Sequence, residues 1–222
     1  MHSPSLIRDF AYDPPDTPLQ FVHEDKAILV LDKPAGLLTV PGKLENRQDC
    51  LITRLQLARW DALTVHRLDC DTSGVIIFAR TKQAQGFLGQ EFEHRRAQKS
   101  YIARLQGRVA GDSGTIDLPI GSDWDYRPRQ KVDLVHGRSA VTDWQVIDRS
   151  ADETRVRLTP HTGRSHQLRV HMLSLGHPIL GDQIYAPATT AAYARLMLHA
   201  ETLSLHDPTT QERVIFAAPV PF

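Results

Sequence analysis

Short apolar runs suited to β-strands recur along the whole chain without helices regularly between them, and this pattern limits the fold more than any other feature. Strand readings fall on 27–31, 75–79, 100–105, 140–147, 154–158, 198–206 and 214–217. A second apolar piece lies at 37–40, and a short strand at 115–118 sits inside a loop-rich stretch from 111 to 131. Helical spacing covers 49–59, 82–96 (with Phe87, Leu88 and Phe92 facing in), 165–175 and 189–196. Many strands with few helices point to an α+β fold with a mixed, mostly antiparallel sheet, flanked by helices and loops. The Pro- and Asp-rich start reads as an extended arm over 1–24, followed by one domain over 25–222.

No run of 18 apolar residues is present, so no membrane-spanning helix is expected. Residues 1–21 carry three aspartates and four prolines and lack the basic start and apolar stretch of a signal peptide. The two cysteines, Cys50 and Cys70, form no CxxC pair. A cytoplasmic protein is the expectation.

The formal net charge is zero, yet it is unevenly spread. Residues 1–25 hold five acids and one base, and residues 201–222 hold three acids and one base. Residues 26–200 therefore keep 24 Lys and Arg against 18 Asp and Glu. The stretch 94–108 carries Arg95, Arg96, Lys99, Arg104 and Arg108 and no acid, and 155–181 carries four arginines and four histidines and no acid. Such stretches are either solvated basic faces or phosphate-binding surfaces.

Two polar segments have the composition for chemistry. His66-Arg67-Leu68-Asp69-Cys70-Asp71-Thr72-Ser73-Gly74 feeds the apolar run at 75–79. An aspartate there can be held rigidly and act as a nucleophile or base, or it can simply cap the Thr-Ser-Gly turn. His161-Thr162-Gly163-Arg164-Ser165-His166-Gln167-Leu168-Arg169 is a Thr-Gly loop running into a helix, either an anion site or an ordinary capped helix. Its histidines, five residues apart, fall about 140° apart on a helix, and no usual metal-ligand spacing occurs. Tyr101 follows Arg95, Arg96 and Lys99, and Asp123–Lys131 mixes aromatics with Arg127, Arg129 and Lys131; both patterns suit base stacking, and both occur in ordinary strands and loops.

In order, Asp32-Lys33-Pro34-Ala35-Gly36-Leu37, His66-Arg67-Leu68-Asp69 with Thr72-Ser73-Gly74, Lys99-Ser100-Tyr101, Gly163-Arg164-Ser165-His166-Gln167-Leu168-Arg169-Val170-His171, His177-Pro178-Ile179-Leu180-Gly181-Asp182 and Leu198-His199-Ala200 resemble the signature of RluA-type pseudouridine synthases. Ser165 stands where a Thr is frequent, and Leu168 where an Ile is frequent; both keep the character of the position. The resemblance covers 25–219 and implies the pseudouridine synthase catalytic fold with a central RNA-binding cleft. It implies Asp69 as the catalytic aspartate, Tyr101 stacked on the target uracil, Arg169 paired with Asp69, Leu198 under the base, and Arg67 in the place of the flipped-out uridine. Lys33, His66, Arg127, Lys131, Arg164 and His166 are expected to contact RNA. Only 31 residues precede Asp32, too few for the S4 RNA-binding domain of many members. Members sharing the insert at 123–132 modify a hairpin loop of large-subunit ribosomal RNA and the anticodon stem-loop of tRNA, and another S4-less type acts on tRNA only.

Isomerising uridine breaks N1–C1′, turns the base and joins C5 to C1′. It needs no redox step and no external group, so no cofactor and no metal are expected. Asp69 either attacks C1′ or takes the proton at C2′. Structured RNA is the expected partner of a monomer, with no membrane and no obligatory protein partner. Two other classes fit the residues alone: an N-glycoside hydrolase using Asp69 with Asp71, which releases uracil, and a non-catalytic RNA-binding module.

Overall fold

The run Val75-Ile76-Ile77-Phe78-Ala79 has no polar side chain, so a strand built from it must be covered on both faces. The computed structural model describes residues 12–222. In chain order its elements are β1 (Gln20–Glu24), β2 (Ile28–Lys33), α1 (Leu51–Ala58), β3 (Leu63–Thr64), β4 (Ser73–Ala79), α2 (Lys82–Glu93), β5 (Gln98–Gln106), β6 (Ser113–Asp117), β7 (Ile120–Ser122), β8 (Gln130–Val132), β9 (Val141–Arg149), β10 (Glu153–Pro160), α3 (Gln167–Ser174), β11 (Leu198–His206) and β12 (Arg213–Ala217). The apolar run forms β4, and every residue of that strand is buried. The architecture is the expected α+β one. It divides into two compact units, the first made of Tyr12–Ile102 with Leu198–Phe222 and the second of Ala103–Met197 among the described residues.

In the first unit β4 lies between β2, antiparallel to it, and β11, parallel to it. β1 pairs antiparallel with β2, and β12 with β11. The parallel contact is short, His199 opposite Ser73 and Ala200 opposite Gly74. Two helices close the core. α1 buries Leu51, Ile52 and Leu55 and starts in a capping box between Cys50 and Thr53. α2 buries Ala84, Leu88 and Glu91 at helical spacing, and the hydroxyl of Thr81 caps it by accepting the Ala84 N–H. Phe87 and Phe92 pack at the core margin with Tyr101.

In the second unit β9 pairs antiparallel with β6 on one side and β10 on the other, so that Trp144 faces Gly114 and Leu158. β7 and β8 form a separate two-stranded hairpin. Val170 of α3 packs with Ile120, Ala140 and Tyr185.

Three local expectations are corrected. The extended arm read over 1–24 lies, for residues 1–11, outside the described residues, and Gln20–Glu24 is a paired strand. The stretch 111–131 holds not only the strand expected at 115–118, seen as β6 and paired with the distant β9, but also β7 and the start of β8, which pair with each other. The apolar piece at 37–40 meets the open end of α1, where the Leu38 and Thr39 carbonyls accept the Leu51 and Ile52 N–H groups. Residues 189–196 form no α-helix, despite three alanines. Gly181, at φ +72°, lies so close to this stretch that a Cβ there would come within 1.9 Å of the Arg195 carbonyl oxygen, and Met197 pairs with Leu180 through N–H to O at 2.9 Å. These tertiary contacts override helix propensity.

Candidate active site

The segment from His66 to Thr72 has no regular secondary structure, so its backbone groups must find partners elsewhere. They do so on both sides of Asp69. The buried Thr39 hydroxyl donates to the Leu68 carbonyl at 2.8 Å and accepts the Leu68 N–H at 3.2 Å. The Cys70 carbonyl accepts the Gly36 N–H at 3.0 Å and the Lys33 ammonium at 2.9 Å. The Thr72 N–H donates to the Asp69 carbonyl at 3.2 Å and closes a turn. Asp69 itself is half-buried between these anchored neighbours.

The end of the segment is fixed to β11. The Ser73 hydroxyl lies 2.7 Å from Nδ1 of His199, whose Nε2 is 3.1 Å from the Ala218 carbonyl oxygen. A carbonyl only accepts, so in this arrangement Nε2 carries the proton and Nδ1 accepts from Ser73. Gly74 follows at φ +113°, where a Cβ would meet the Ala200 carbonyl oxygen at 2.2 Å. Only glycine lets the two strands approach so closely here.

The structure changes the reading of Lys33. Its side chain is fully buried and its ammonium donates to the carbonyls of Pro34, Leu37 and Cys70 at 2.9, 2.6 and 2.9 Å. An ammonium has three N–H groups, and these carbonyls can take all three. Lys33 holds the loop beside Asp69 rather than meeting RNA from the surface. His66 is half-buried, its Nε2 accepts the Ile77 N–H at 3.1 Å, and its ring stacks on Phe92 with centroids 4.5 Å apart. Burial, helped by the charge of Lys99, pulls its pKa down to about 3. The imidazole is thus a neutral acceptor that ties the loop to β4. Arg67 is exposed. Tyr101 of β5 packs at the core margin. Burial pushes its phenol pKa up, and the charge of Asp69 adds to that shift. Asp69 and Tyr101, remote in sequence, are therefore brought within electrostatic reach. Leu198 is buried as the first residue of β11.

In the second unit the Thr-Gly loop before α3 is wired internally. The Gln167 side chain accepts from the Thr162 hydroxyl at 2.7 Å and from the Arg164 N–H at 3.0 Å, and it donates to the Val141 carbonyl and the Thr142 hydroxyl. One N–H expected to greet an anion is thus already used. The Arg164 Nε donates to the Ser139 carbonyl. His166 sits at φ +54°, an uncommon conformation for a residue with a side chain, with Nδ1 2.9 Å from the Tyr185 hydroxyl. That hydroxyl also accepts the Gln130 N–H of β8.

Arg169 is buried and grips Asp182 with a bidentate fork, Nε and Nη2 each 2.7 Å from a carboxylate oxygen. Asp182 also accepts the Ile184 and Tyr185 N–H groups, so its carboxylate is richly bonded. Asp182 ends one of the motif strings, yet nothing in the residue order marks it as the partner of Arg169. Arg127 stacks over the exposed Trp124 at 3.8 Å from the ring centroid, and Lys131 lies exposed on β8 with its Nζ 3.8 Å from Asp123. Among the described residues no group of three or more His, Cys, Asp or Glu is placed to hold a metal ion.

Residues 27–174 match the family of RNA pseudouridylate synthases. The chain is 48% identical over 214 residues to the dual-specificity RNA pseudouridine synthase RluA of Escherichia coli strain K12, covering 95% of this chain and 98% of the relative. It is 52% identical over 189 residues to the protein of that name from Yersinia pestis, covering 84% and 92% respectively. Among solved structures, human RNA pseudouridylate synthase domain containing 1 superposes with a TM-score of 0.79 at 31% identity, covering 95% of this chain and 87% of that one. Human RNA pseudouridylate synthase domain containing 4 gives 0.74 at 26% identity, covering 91% and 88%.

Proposed function

This chain belongs to the RNA pseudouridylate synthase family, and from that premise we propose that it acts on two kinds of RNA, ribosomal and transfer, with Asp69 as the reacting carboxylate. The enzyme is an isomerase of uridine in RNA. The observation that carries the assignment of Asp69 is its mounting. Both neighbours of this half-buried aspartate are tied through their backbones to Thr39, Gly36 and Lys33, and a protonated tyrosine lies within reach of its charge.

The uridine must leave its stack to be reached, at a cost of a few kcal/mol. Arg67, exposed beside the loop, takes the vacated place, and stacking on Tyr101 returns about 1–3 kcal/mol. Attack on C1′ and removal of the C2′ proton both require a carboxylate that does not move, and the anchored loop holds it in place. Leu198 forms an apolar floor for the base. Arg127 and Lys131, on the β7–β8 hairpin, and Arg164 and His166, before α3, contact RNA; Arg169, held by Asp182, positions the reaction. The protein works in the cytoplasm, as a monomer, without a cofactor. The dual substrate range is supported by the relatives described as dual-specificity enzymes.

Joining C5 to C1′ forces the hydrogen off C5, while RNA mass stays constant. RNA tritiated at uridine C5 should therefore release tritium to water, with no free uracil, in the presence of EDTA, from both ribosomal and transfer RNA. Asp69→Asn should abolish release and keep RNA binding. Release by that variant at a tenth or more of the wild-type rate would remove Asp69 from the chemistry. Release from one RNA class only would restrict the substrate range.

A further inference from the structure

Lys99 of β5 lies two residues before Tyr101, so the two side chains leave the strand on one face. Ser100, between them, points the other way and donates to Glu201. In the same unit Arg54, Arg59, Arg80 and Arg96 each pair with a carboxylate. Lys99 is half-buried and, among the described residues, makes no hydrogen bond and no ion pair. Burial lowers its pKa, with no opposing charge to restore it. A cation held out of water without a partner destabilises the fold unless something arrives to compensate it.

The position indicates what arrives. The charge of Lys99 is felt at His66, next to the exposed Arg67, whereas the Tyr101 phenol responds to burial and to Asp69. Lys99 thus stands near His66, beside the exposed Arg67, and on the same strand face as Tyr101. The anion available there in an RNA substrate is a backbone phosphate beside the flipped nucleotide.

We propose that Lys99 is a positioning residue that binds one phosphate of the RNA strand next to the target uridine, its unpaired ammonium being kept for that contact. The proposal rests on RNA being the substrate. It accounts for why a partly desolvated charge is tolerated: stability is given up where the ligand restores it.

The test uses the full chain with Lys99→Met and Lys99→Arg. RNA binding is followed by fluorescence anisotropy across a salt series, turnover by tritium release, and stability by thermal melting. Losing one phosphate contact should weaken binding about five- to eightfold at 0.1 M salt and lower the slope of log K against log salt by about 0.7–0.9. In Lys99→Met the loss should fall in KM and Kd rather than in kcat, and the melting temperature should rise. Lys99→Arg should restore the salt slope. A Lys99→Met protein that melts lower and keeps wild-type affinity and slope would make Lys99 a structural residue and overturn the proposal. A loss confined to kcat would also overturn it, placing the charge in the chemistry. If wild type neither binds RNA nor releases tritium, the functional reading fails first and this inference falls with it.

Discussion

Replacing Thr39 by Val changes almost no volume and removes one hydroxyl. That hydroxyl is buried and serves both backbone groups of Leu68, the residue before Asp69. In Thr39→Val an N–H and a C=O lose their partner in a site with little access to water. Each such group costs about 1–3 kcal/mol, so the pair amounts to about 2–4 kcal/mol after partial relaxation. For a protein of this size that is a fall in melting temperature of about 5–15 °C. The activity effect follows from geometry. If Leu68 drifts to find new partners, Asp69 moves with it, and an error of about 1 Å can cost about 100-fold in rate. Single-turnover tritium release at saturating RNA should drop about 10- to 100-fold while anisotropy shows RNA affinity retained. Thr39→Ser keeps the hydroxyl and should recover most of both losses. A Val variant within about 0.5 kcal/mol of wild type by urea unfolding, with an unchanged single-turnover rate, would refute the idea that this bond holds the catalytic loop.

Three further outcomes are expected. Asp182→Asn leaves Arg169 buried without its carboxylate and should destabilise the protein by about 3–5 kcal/mol, while Arg169→Lys loses the planar fork and should lower both stability and turnover; a Lys variant that melts like wild type would mean the fork contributes little. For pH, the His66 imidazole titrates near 6.5 when unfolded and near 3 when folded, so its share of stability is whole above about 6.5 and is lost as pH falls toward 3. Urea unfolding at a series of pH values should show this loss in wild type and a weaker one in His66→Gln, and parallel curves would contradict the buried neutral imidazole.

β4 and α2 could be read directly from residue order, because an unbroken apolar run and an apolar stripe at helical spacing are local patterns that burial enforces wherever the segment lies. The motif strings pointed to Asp69 and Tyr101 for the same reason: the residue types are visible without knowing their neighbours. What those neighbours do was invisible. Lys33 reads as a surface cation until three carbonyls from two loops converge on its ammonium. Thr39 reads as one residue of an apolar piece until Leu68 is set against it. Arg169 acquires Asp182 only when the chain after α3 turns back. Residues 189–196 look helical until Gly181 draws them close. Strand and helix signals are carried by short-range periodicity along the chain. The partner of a buried charge or an orphan backbone group is chosen instead by which distant segments share a dry space, and only the folded backbone sets that proximity.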